Sequence, residues 1–165
     1  MNRIVKFLFA CFCFFAFVLP VCAEDKLTVY FFHGKECPHC ALEGEFLEDI
    51  EKQYSNVEVK KYEVWYDVEN AELLTKVKKH LNVTAGGVPF TVIGTSSFLG
   101  YNDATGDTIK RAINYYQENE YVDVVSKIVS GEIPTDDVLV EADNFSKEEA
   151  KSDSSLTVDF FSFFI

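Results

Sequence analysis

The chain has 165 residues, with 15 Lys or Arg against 27 Asp or Glu and a formal net charge of -12 at pH 7. Because binding to a nucleic-acid backbone needs Lys and Arg, this balance excludes nucleic acid as a partner, and it disfavours attachment to anionic lipid by charge alone. The length suits one compact domain with two additional end segments.

The first 23 residues have the pattern of a cleavable export signal. A short positive segment, residues 1–6, precedes an apolar run over 7–19, and Val21-Cys22-Ala23 places small residues at positions -3 and -1 before Glu24. At about 1.5 Å per residue, the apolar run falls short of the ~30 Å hydrocarbon core of a membrane. We therefore expect cleavage and an extracytoplasmic location in a periplasm, cell envelope or secretory lumen. A retained membrane anchor is the alternative, and a lipoprotein anchor at Cys22 is a weaker one.

Cleavage would leave only two cysteines, Cys37 and Cys40, because Cys11, Cys13 and Cys22 lie in the signal. An exported chain with two cysteines has one possible intramolecular disulfide. That bridge closes a ring of only four residues and constrains the unfolded chain very little, which disfavours a structural staple. We interpret the pair as a reversible redox bond, with a purely structural bridge as the alternative.

The first predicted strand and helix lie on either side of the cysteines. Residues 27–32 form an uncharged β-prone run, typical of a strand buried on both faces. A helix is expected to begin at Cys37-Pro38, since the first helical position does not need the N–H that proline lacks. Its predicted apolar stripe is Leu42, Phe46, Ile50 and Tyr54, which recur every four residues, whereas Glu43 and the neighbouring acids take other, polar positions.

The remaining patterns complete a β-α-β-α-β-β-α order. They predict a strand over residues 57–66 with a bulge at Lys60-Lys61, and a helix over 70–81. Beyond these they predict strands at 90–93 and 97–99, a helix capped by Asp107, and a helix at 121–129. This order predicts an α/β fold with a mixed central sheet flanked by helices.

The C-terminal end differs in composition from the domain. Residues 135–155 are rich in Asp, Glu, Ser and Lys, which is typical of a solvated tail rather than a second domain. Residues 160–165 are apolar but too few to span a bilayer. They either dock on the domain or begin a longer membrane segment, so membrane association through this end stays open. We divide the chain into a signal peptide (1–23), one domain (24–130) and an acidic tail (131–165).

Chemistry is expected at Cys37-Pro38-His39-Cys40. A spacing of three places both sulfurs on one side of the first helical turn, close enough to join. Cys37 is at the helix N-terminus, where free N–H groups and the helix dipole favour a thiolate, and His39 can donate a hydrogen bond to the same anion. These effects predict a pKa for Cys37 below the ~8.5 of a free cysteine, and hence an oxidising disulfide.

Metal and haem sites are disfavoured. A zinc half-site needs two more ligands, and the mature chain offers no second cysteine pair. Haem attachment needs a histidine directly after Cys40, and residue 41 is Ala. We therefore expect no metal and no cofactor, and we interpret His33 and His80 as polar surface residues.

Three features resemble the thioredoxin superfamily over roughly residues 27–116: the strand at 27–32, the Cys-Pro-His-Cys helix start, and Gly87-Val88-Pro89 before a strand. The motif itself is similar to that of DsbA-type disulfide oxidases. The resemblance implies a thioredoxin-like fold and a redox-active Cys37–Cys40 disulfide with Pro38 and His39 in its active-site turn. It also implies a cis peptide bond before Pro89 and a substrate peptide bound by the backbone of Val88.

Two departures from the superfamily pattern affect what it implies. Pro89 lies only 49 positions beyond Cys40, which leaves no room for the large helical insertion of DsbA enzymes. The superfamily often has a buried carboxylate six residues before the first cysteine, as a proton acceptor for the second. That position is Phe31 here, so proton transfer from Cys40 must use water or another group.

We predict an exported thiol–disulfide oxidoreductase in which Cys37 forms a mixed disulfide with a protein substrate and Cys40 resolves it. Its direction, whether oxidation, reduction or isomerisation, depends on an unidentified redox partner, for which a membrane-bound protein is one candidate. One alternative is a non-catalytic module that binds an extended peptide at Val88 and Pro89. The other is the redox domain of a truncated membrane electron-transfer protein.

The export signal gives the first testable prediction. If signal cleavage follows Ala23, the mass of the intact mature protein should correspond to residues 24–165, because the apolar run is too short to remain as a membrane span. Mass spectrometry of the protein from the extracytoplasmic fraction measures this directly. A mature protein that still contains residues 7–19 would contradict cleavage and indicate a membrane tether.

Overall fold

The computed structural model describes residues 26–133, so the predicted signal peptide and all but the first residues of the predicted tail lie outside the described part. In chain order the elements are β1 (Leu27–His33), α1 (Pro38–Gln53), β2 (Val57–Glu63), α2 (Val68–His80), β3 (Phe90–Ile93), β4 (Ser96–Leu99), α3 (Asp103–Glu118) and α4 (Val124–Ser130). None of the helices within residues 26–133 is long and apolar enough to cross a membrane.

The four strands form one mixed sheet in the order β2-β1-β3-β4. β1 pairs in parallel with β2, from Leu27 opposite Val57 to His33 opposite Glu63. β3 is antiparallel to both β1 and β4. The predicted mixed sheet flanked by helices is confirmed. The predicted bulge at Lys60-Lys61 is wrong, because the pairing with β1 continues through both residues without an insertion.

Side chains of β1 alternate between two apolar clusters, one on each face of the sheet. Val29 and Phe31 pack with residues of α1 and α3, whereas Tyr30 and Phe32 pack with residues of α2 and α4. This alternation follows from the two-residue period of a strand. Burial on both faces explains why the run contains no charge. Each large apolar side chain removed from water stabilises the fold by about 1.5–3 kcal/mol.

Helix α1 begins where the sequence predicts, with Cys37 as N-cap and Pro38 in the first turn, but its buried face differs from the prediction. The residues that face the core are Cys40, Glu43, Leu47 and Ile50. Leu42 is 55% exposed, so its assignment to the buried stripe is wrong, and so is the placing of Glu43 on the polar side. The buried residues of α1 follow one another at spacings of three and four from Cys40 onward, and Glu43 occupies one of these positions.

The helices in the second half of the chain begin at residues other than those predicted. Asn102, not Asp107, caps α3, and its side-chain oxygen accepts a hydrogen bond of 2.9 Å from the N–H of Thr105. Asp123 caps α4, which starts three residues later than predicted. Asp, Asn and Ser are all good caps, so a local pattern with several candidates does not identify the one used.

The two histidines outside the cysteine motif are less exposed than predicted. His80 is 4% exposed in the last turn of α2, and neither ring nitrogen has a hydrogen-bond partner among residues 26–133. It follows Val77 by three positions and therefore shares the buried face of the helix. His33 is half-buried at the end of β1, with its ring stacked on Phe31 at a centroid distance of 5.2 Å.

Candidate redox site

Cys37 and Cys40 form a disulfide at the start of α1, with their Cα atoms 5.1 Å apart. Cys37 has an extended backbone, and its sulfur accepts a hydrogen bond of 3.2 Å from the N–H of Cys40. A sulfur in this position faces N–H groups that the first turn of a helix leaves unpaired. Reduction would therefore place a Cys37 thiolate where hydrogen bonds and the helix dipole both stabilise it.

The two cysteines differ in exposure. Both are buried, but Cys37 is 9% exposed and Cys40 4%, so Cys37 is the more accessible residue of the pair. A cavity of about 230 Å³ opens next to the pair, lined also by His33 and Lys35 from the end of β1 and by Glu45 of α1.

The predicted cis peptide bond between Val88 and Pro89 is confirmed. It places the segment before β3 against the cysteines, with the Cys37 sulfur 3.9 Å from the carbonyl oxygen of Val88. Pro89 is buried and its carbonyl accepts a 2.8 Å hydrogen bond from the N–H of Gly100, beyond β4. The structure thus brings together Cys37, Val88 and Pro89, although 51 positions separate Cys37 from Val88.

Lys78 holds the loop that leads into the cis bond, a contact that the sequence did not reveal. Its Nζ donates hydrogen bonds to the carbonyls of Ala85, at 3.3 Å, and Gly87, at 3.0 Å. The same ammonium group lies 4.6 Å from the centroid of the Phe90 ring. Desolvation at this half-buried position lowers the pKa of Lys78 below its usual range. The Lys78 ammonium group on α2 therefore holds the carbonyls at both ends of residues 85–87, directly before Val88.

Glu63 links two loops beside the cysteines. Its carboxylate accepts a 3.2 Å hydrogen bond from the N–H of Lys35, just before Cys37, and three more from the loop after β2, at Trp65, Tyr66 and Asp67. The Trp65 ring packs so closely on Gly34 that a Cβ at that position would overlap it. The segment before Cys37 is thereby held in place by Glu63 at the end of β2 and by the loop that follows it.

A buried carboxylate lies on the inner face of α1. Glu43 is 1% exposed, and its Oε1 accepts a 2.6 Å hydrogen bond from the hydroxyl of Thr91 on β3. Its Oε2 has no partner in the described part of the chain. Burial raises the pKa of Glu43 to about 7, although the Thr91 hydrogen bond opposes the shift. The sequence signal was its position three residues after Cys40, in register with the buried stripe.

His39, by contrast, is exposed, and within residues 26–133 no hydrogen bond joins its ring to either sulfur of the disulfide. Its proposed action on a Cys37 thiolate concerns the reduced protein and stays a prediction. The same part of the chain contains no group of three or more His, Cys, Asp or Glu side chains placed to hold a metal ion.

No protein-family model matches the chain, and no curated protein matches it. Among solved structures it is similar to oxidized thioredoxin O2 from Arabidopsis thaliana, with 18% identity and a TM-score of 0.42 over 55% of this chain and 75% of that one. It is also similar to a glutaredoxin (grx-1) from Archaeoglobus fulgidus, with 26% identity and a TM-score of 0.39 over 53% of this chain and 86% of that one.

The fold is thioredoxin-like, as three features of this chain show. The strand order is β2-β1-β3-β4 with a parallel β1–β2 pair, the Cys37–Cys40 disulfide is at the start of the helix after β1, and the cis Val88-Pro89 bond comes directly before β3. The chain therefore has a thioredoxin-like fold with a disulfide-bonded Cys-x-x-Cys pair at the start of α1.

The buried carboxylate predicts an unusual dependence of stability on pH. Folding raises the pKa of Glu43 from 4.5 to about 7, so between these values the folded state holds a proton that the unfolded state has lost. The contribution of Glu43 to the free energy of unfolding should therefore be greatest below pH 4.5. It should fall as pH rises to 7, by about 3 kcal/mol at most.

Denaturant unfolding of the oxidised protein between pH 4.5 and 8 measures this effect. Glu43→Gln should remove the fall in stability, because the amide does not ionise. Asp49→Asn is the matched control, since it removes a charge from the exposed side of the same helix and should leave the fall unchanged. Parallel pH profiles for wild type and Glu43→Gln would show that the carboxylate is not buried as described.

Proposed function

We propose that the chain is a thiol–disulfide oxidoreductase that exchanges disulfides with protein substrates through Cys37 and Cys40. The observation that carries the proposal is the disulfide at the N-terminus of α1, with the Cys37 sulfur 3.9 Å from the Val88 carbonyl beside the cis bond. A bridge that closes a four-residue ring adds little stability, so its position next to a fixed loop favours a redox role.

In the oxidising direction, a substrate thiolate attacks the Cys37 sulfur. The Cys37–Cys40 bond breaks, Cys40 leaves as a thiolate that takes up a proton, and a mixed disulfide joins Cys37 to the substrate. A second substrate thiolate then attacks the substrate sulfur of this mixed disulfide and releases Cys37 as a thiolate. The substrate gains a disulfide, and two electrons pass to the cysteine pair.

In the reducing direction the same bonds form and break in reverse. The Cys37 thiolate attacks a substrate disulfide, and Cys40 resolves the mixed disulfide that results. The difference in exposure between the cysteines supports this division of roles, because the intermolecular bond must form at the more accessible sulfur. The helix N-terminus stabilises Cys37 as both attacking and leaving thiolate.

We propose that Val88 and Pro89 hold the substrate segment next to Cys37. Support comes from the loop itself, which Lys78 and the Pro89–Gly100 hydrogen bond fix against the cysteines. The aromatic rings of Trp65 and Tyr66, 51% and 66% exposed, adjoin Gly34 and Glu36 just before Cys37 and offer apolar contacts to a polypeptide.

Export and an oxidising direction are further parts of the proposal. The pattern of residues 1–23 supports export, and disulfides persist in extracytoplasmic compartments. The Cys-Pro-His-Cys motif favours oxidation, with an unidentified partner that accepts the electrons. This partner must in turn form a mixed disulfide with Cys37.

The roles of the two cysteines can be tested by trapping. Cys40→Ser should accumulate mixed disulfides with client proteins in the exported fraction, because the attacking thiol survives while the resolving thiol is lost. Cys37→Ser should accumulate far fewer. Non-reducing gel electrophoresis with and without a reductant measures both. Equal trapping would reverse the assigned roles, and a lack of trapping by either variant, with peptide binding intact, would favour a non-catalytic binding module.

The oxidising strength gives a separate prediction. His39→Ala should lower the reduction potential of the Cys37–Cys40 pair, because the reduced form loses a side-chain donor to its thiolate. Loss of one charge-assisted hydrogen bond, about 1.5–3 kcal/mol, corresponds to ~30–60 mV for this two-electron couple. Equilibration with glutathione buffers measures the potential. His33→Ala removes the other histidine near the pair, and an equal shift in both variants would contradict a specific role for His39.

A further inference from the structure

Glu43 is costly to bury, and the hydrogen bond from Thr91 compensates for only part of that cost. The side chain is 1% exposed, one carboxylate oxygen is unpaired, and none of the ion pairs within residues 26–133 involves it. A buried polar atom without a partner destabilises the fold relative to one that is hydrogen-bonded. A glutamine would keep the size of the side chain without the charge. A buried acid of this kind is a candidate for proton transfer.

The helix places this carboxylate next to the less exposed cysteine. Cys40 and Glu43 are three positions apart on the buried face of α1, and side chains at this spacing are neighbours on a helix. Helical side chains also lean toward the N-terminus, so that of Glu43 extends over the turn that contains Cys40. The hydrogen bond to Thr91 fixes the carboxylate between α1 and β3.

The surroundings leave few other groups for proton exchange with Cys40. Cys40 is 4% exposed and packs in the cluster that contains Phe31, and water can approach the disulfide from the cavity of about 230 Å³ that both residues line. Thr91 on β3 is paired with Phe31 on β1. Because the Glu43 carboxylate accepts a hydrogen bond from Thr91, it lies close to the part of the sheet that contains Phe31. A carboxylate from α1 thus takes the place of one that β1 lacks.

We propose that Glu43 is the proton acceptor and donor for Cys40, an assignment that rests on the proposed exchange function. In the reducing direction the Glu43 carboxylate takes the proton of the Cys40 thiol as the Cys40 sulfur attacks the Cys37 sulfur. The Cys37–Cys40 bond forms, the bond from Cys37 to the substrate breaks, and the substrate leaves as a thiolate. In the oxidising direction the Glu43 carboxylic acid protonates Cys40 as it leaves. Protonated and ionised Glu43 are restored by exchange with water.

The electrostatics of the region are consistent with this role. With a pKa of about 7, Glu43 has both protonation forms available at neutral pH, as a proton carrier requires. The sheet residues nearest to Glu43 are Thr91 on β3 and its pairing partner Phe31 on β1, and neither has a side chain that ionises near pH 7. Before α3, Tyr101 is the group that senses Glu43: desolvation and then the Glu43 charge raise the pKa of its hydroxyl. His33 at the end of β1 stacks on Phe31 and lines the cavity beside the cysteines, so a response near pH 7 is assigned to Glu43 by its loss in Glu43→Gln and its persistence in His33→Ala.

The first experiment measures the resolving step alone. Cys37 is loaded as a mixed disulfide with a short peptide thiol, and release of the peptide is followed by stopped-flow between pH 5 and 9. Glu43→Gln should slow release at pH 7 by about 100-fold, the lower end of the range for a positioned general base. It should also remove the ionisation near 7 from the rate profile. Asp49→Asn, on the exposed side of α1, should match wild type.

A second measurement separates failure of this assignment from failure of the proposed function. Alkylation of Cys37 in a Cys40→Ser background should be unaffected by Glu43→Gln, because Glu43 serves only the resolving step. If wild type releases no peptide, the exchange function is wrong. If wild type releases peptide and Glu43→Gln releases it equally fast, the exchange function stands and the Glu43 role is overturned.

The influence of the cysteines' redox state on the ionisation of Glu43 can also be measured without turnover. NMR titration of a carbon-labelled Glu43 carboxyl in oxidised and reduced protein should give two different pKa values, because reduction creates the Cys40 thiol beside it. Identical values in the two states would overturn the assignment, whether or not the protein exchanges disulfides. A purely structural carboxylate would not respond in this way to the redox state of the cysteines.

Discussion

Burial of β1 at the centre of the sheet is the constraint on which the site depends. The strand is paired on both edges, with β2 and β3, and its side chains enter the apolar clusters on both faces. Its C-terminal end therefore has a fixed position in the molecule. The N-terminus of α1 follows after four residues, and the cis bond before β3 lies beside the same end. The cysteine pair and the loop with the cis Val88-Pro89 bond lie side by side because both adjoin the C-terminal end of β1.

Two polar side chains fix the loops that surround the disulfide. Lys78 supplies donors to the carbonyls before Val88, and Glu63 supplies acceptors to N–H groups before Cys37 and after β2. Irregular backbone has no ladder to satisfy these groups, so a single charged side chain can satisfy several at once. The loops next to Cys37 are thus held by charges on α2 and β2 rather than by apolar packing alone.

The buried face of α1 combines stability and chemistry in one stripe. Leu47 and Ile50 contribute apolar burial, whereas Cys40 and Glu43, one to three turns earlier, place a disulfide sulfur and a carboxylate on the same face. A carboxylate there weakens the fold at neutral pH, and the apolar clusters on both faces of the sheet must offset that cost.

The sequence by itself determined the features that depend on neighbours along the chain. Strand β1, the start of α1 at Cys37 and Pro38, and the mixed α/β order follow from hydrophobic periods, cap chemistry and the resemblance to a known family. The tertiary structure alone decided which face of each helix meets the sheet. That choice buried Glu43 and His80, exposed Leu42, and brought Lys78 to the loop before Val88. A helical period defines a stripe only to within one position, whereas contacts across the sheet select the face that is buried.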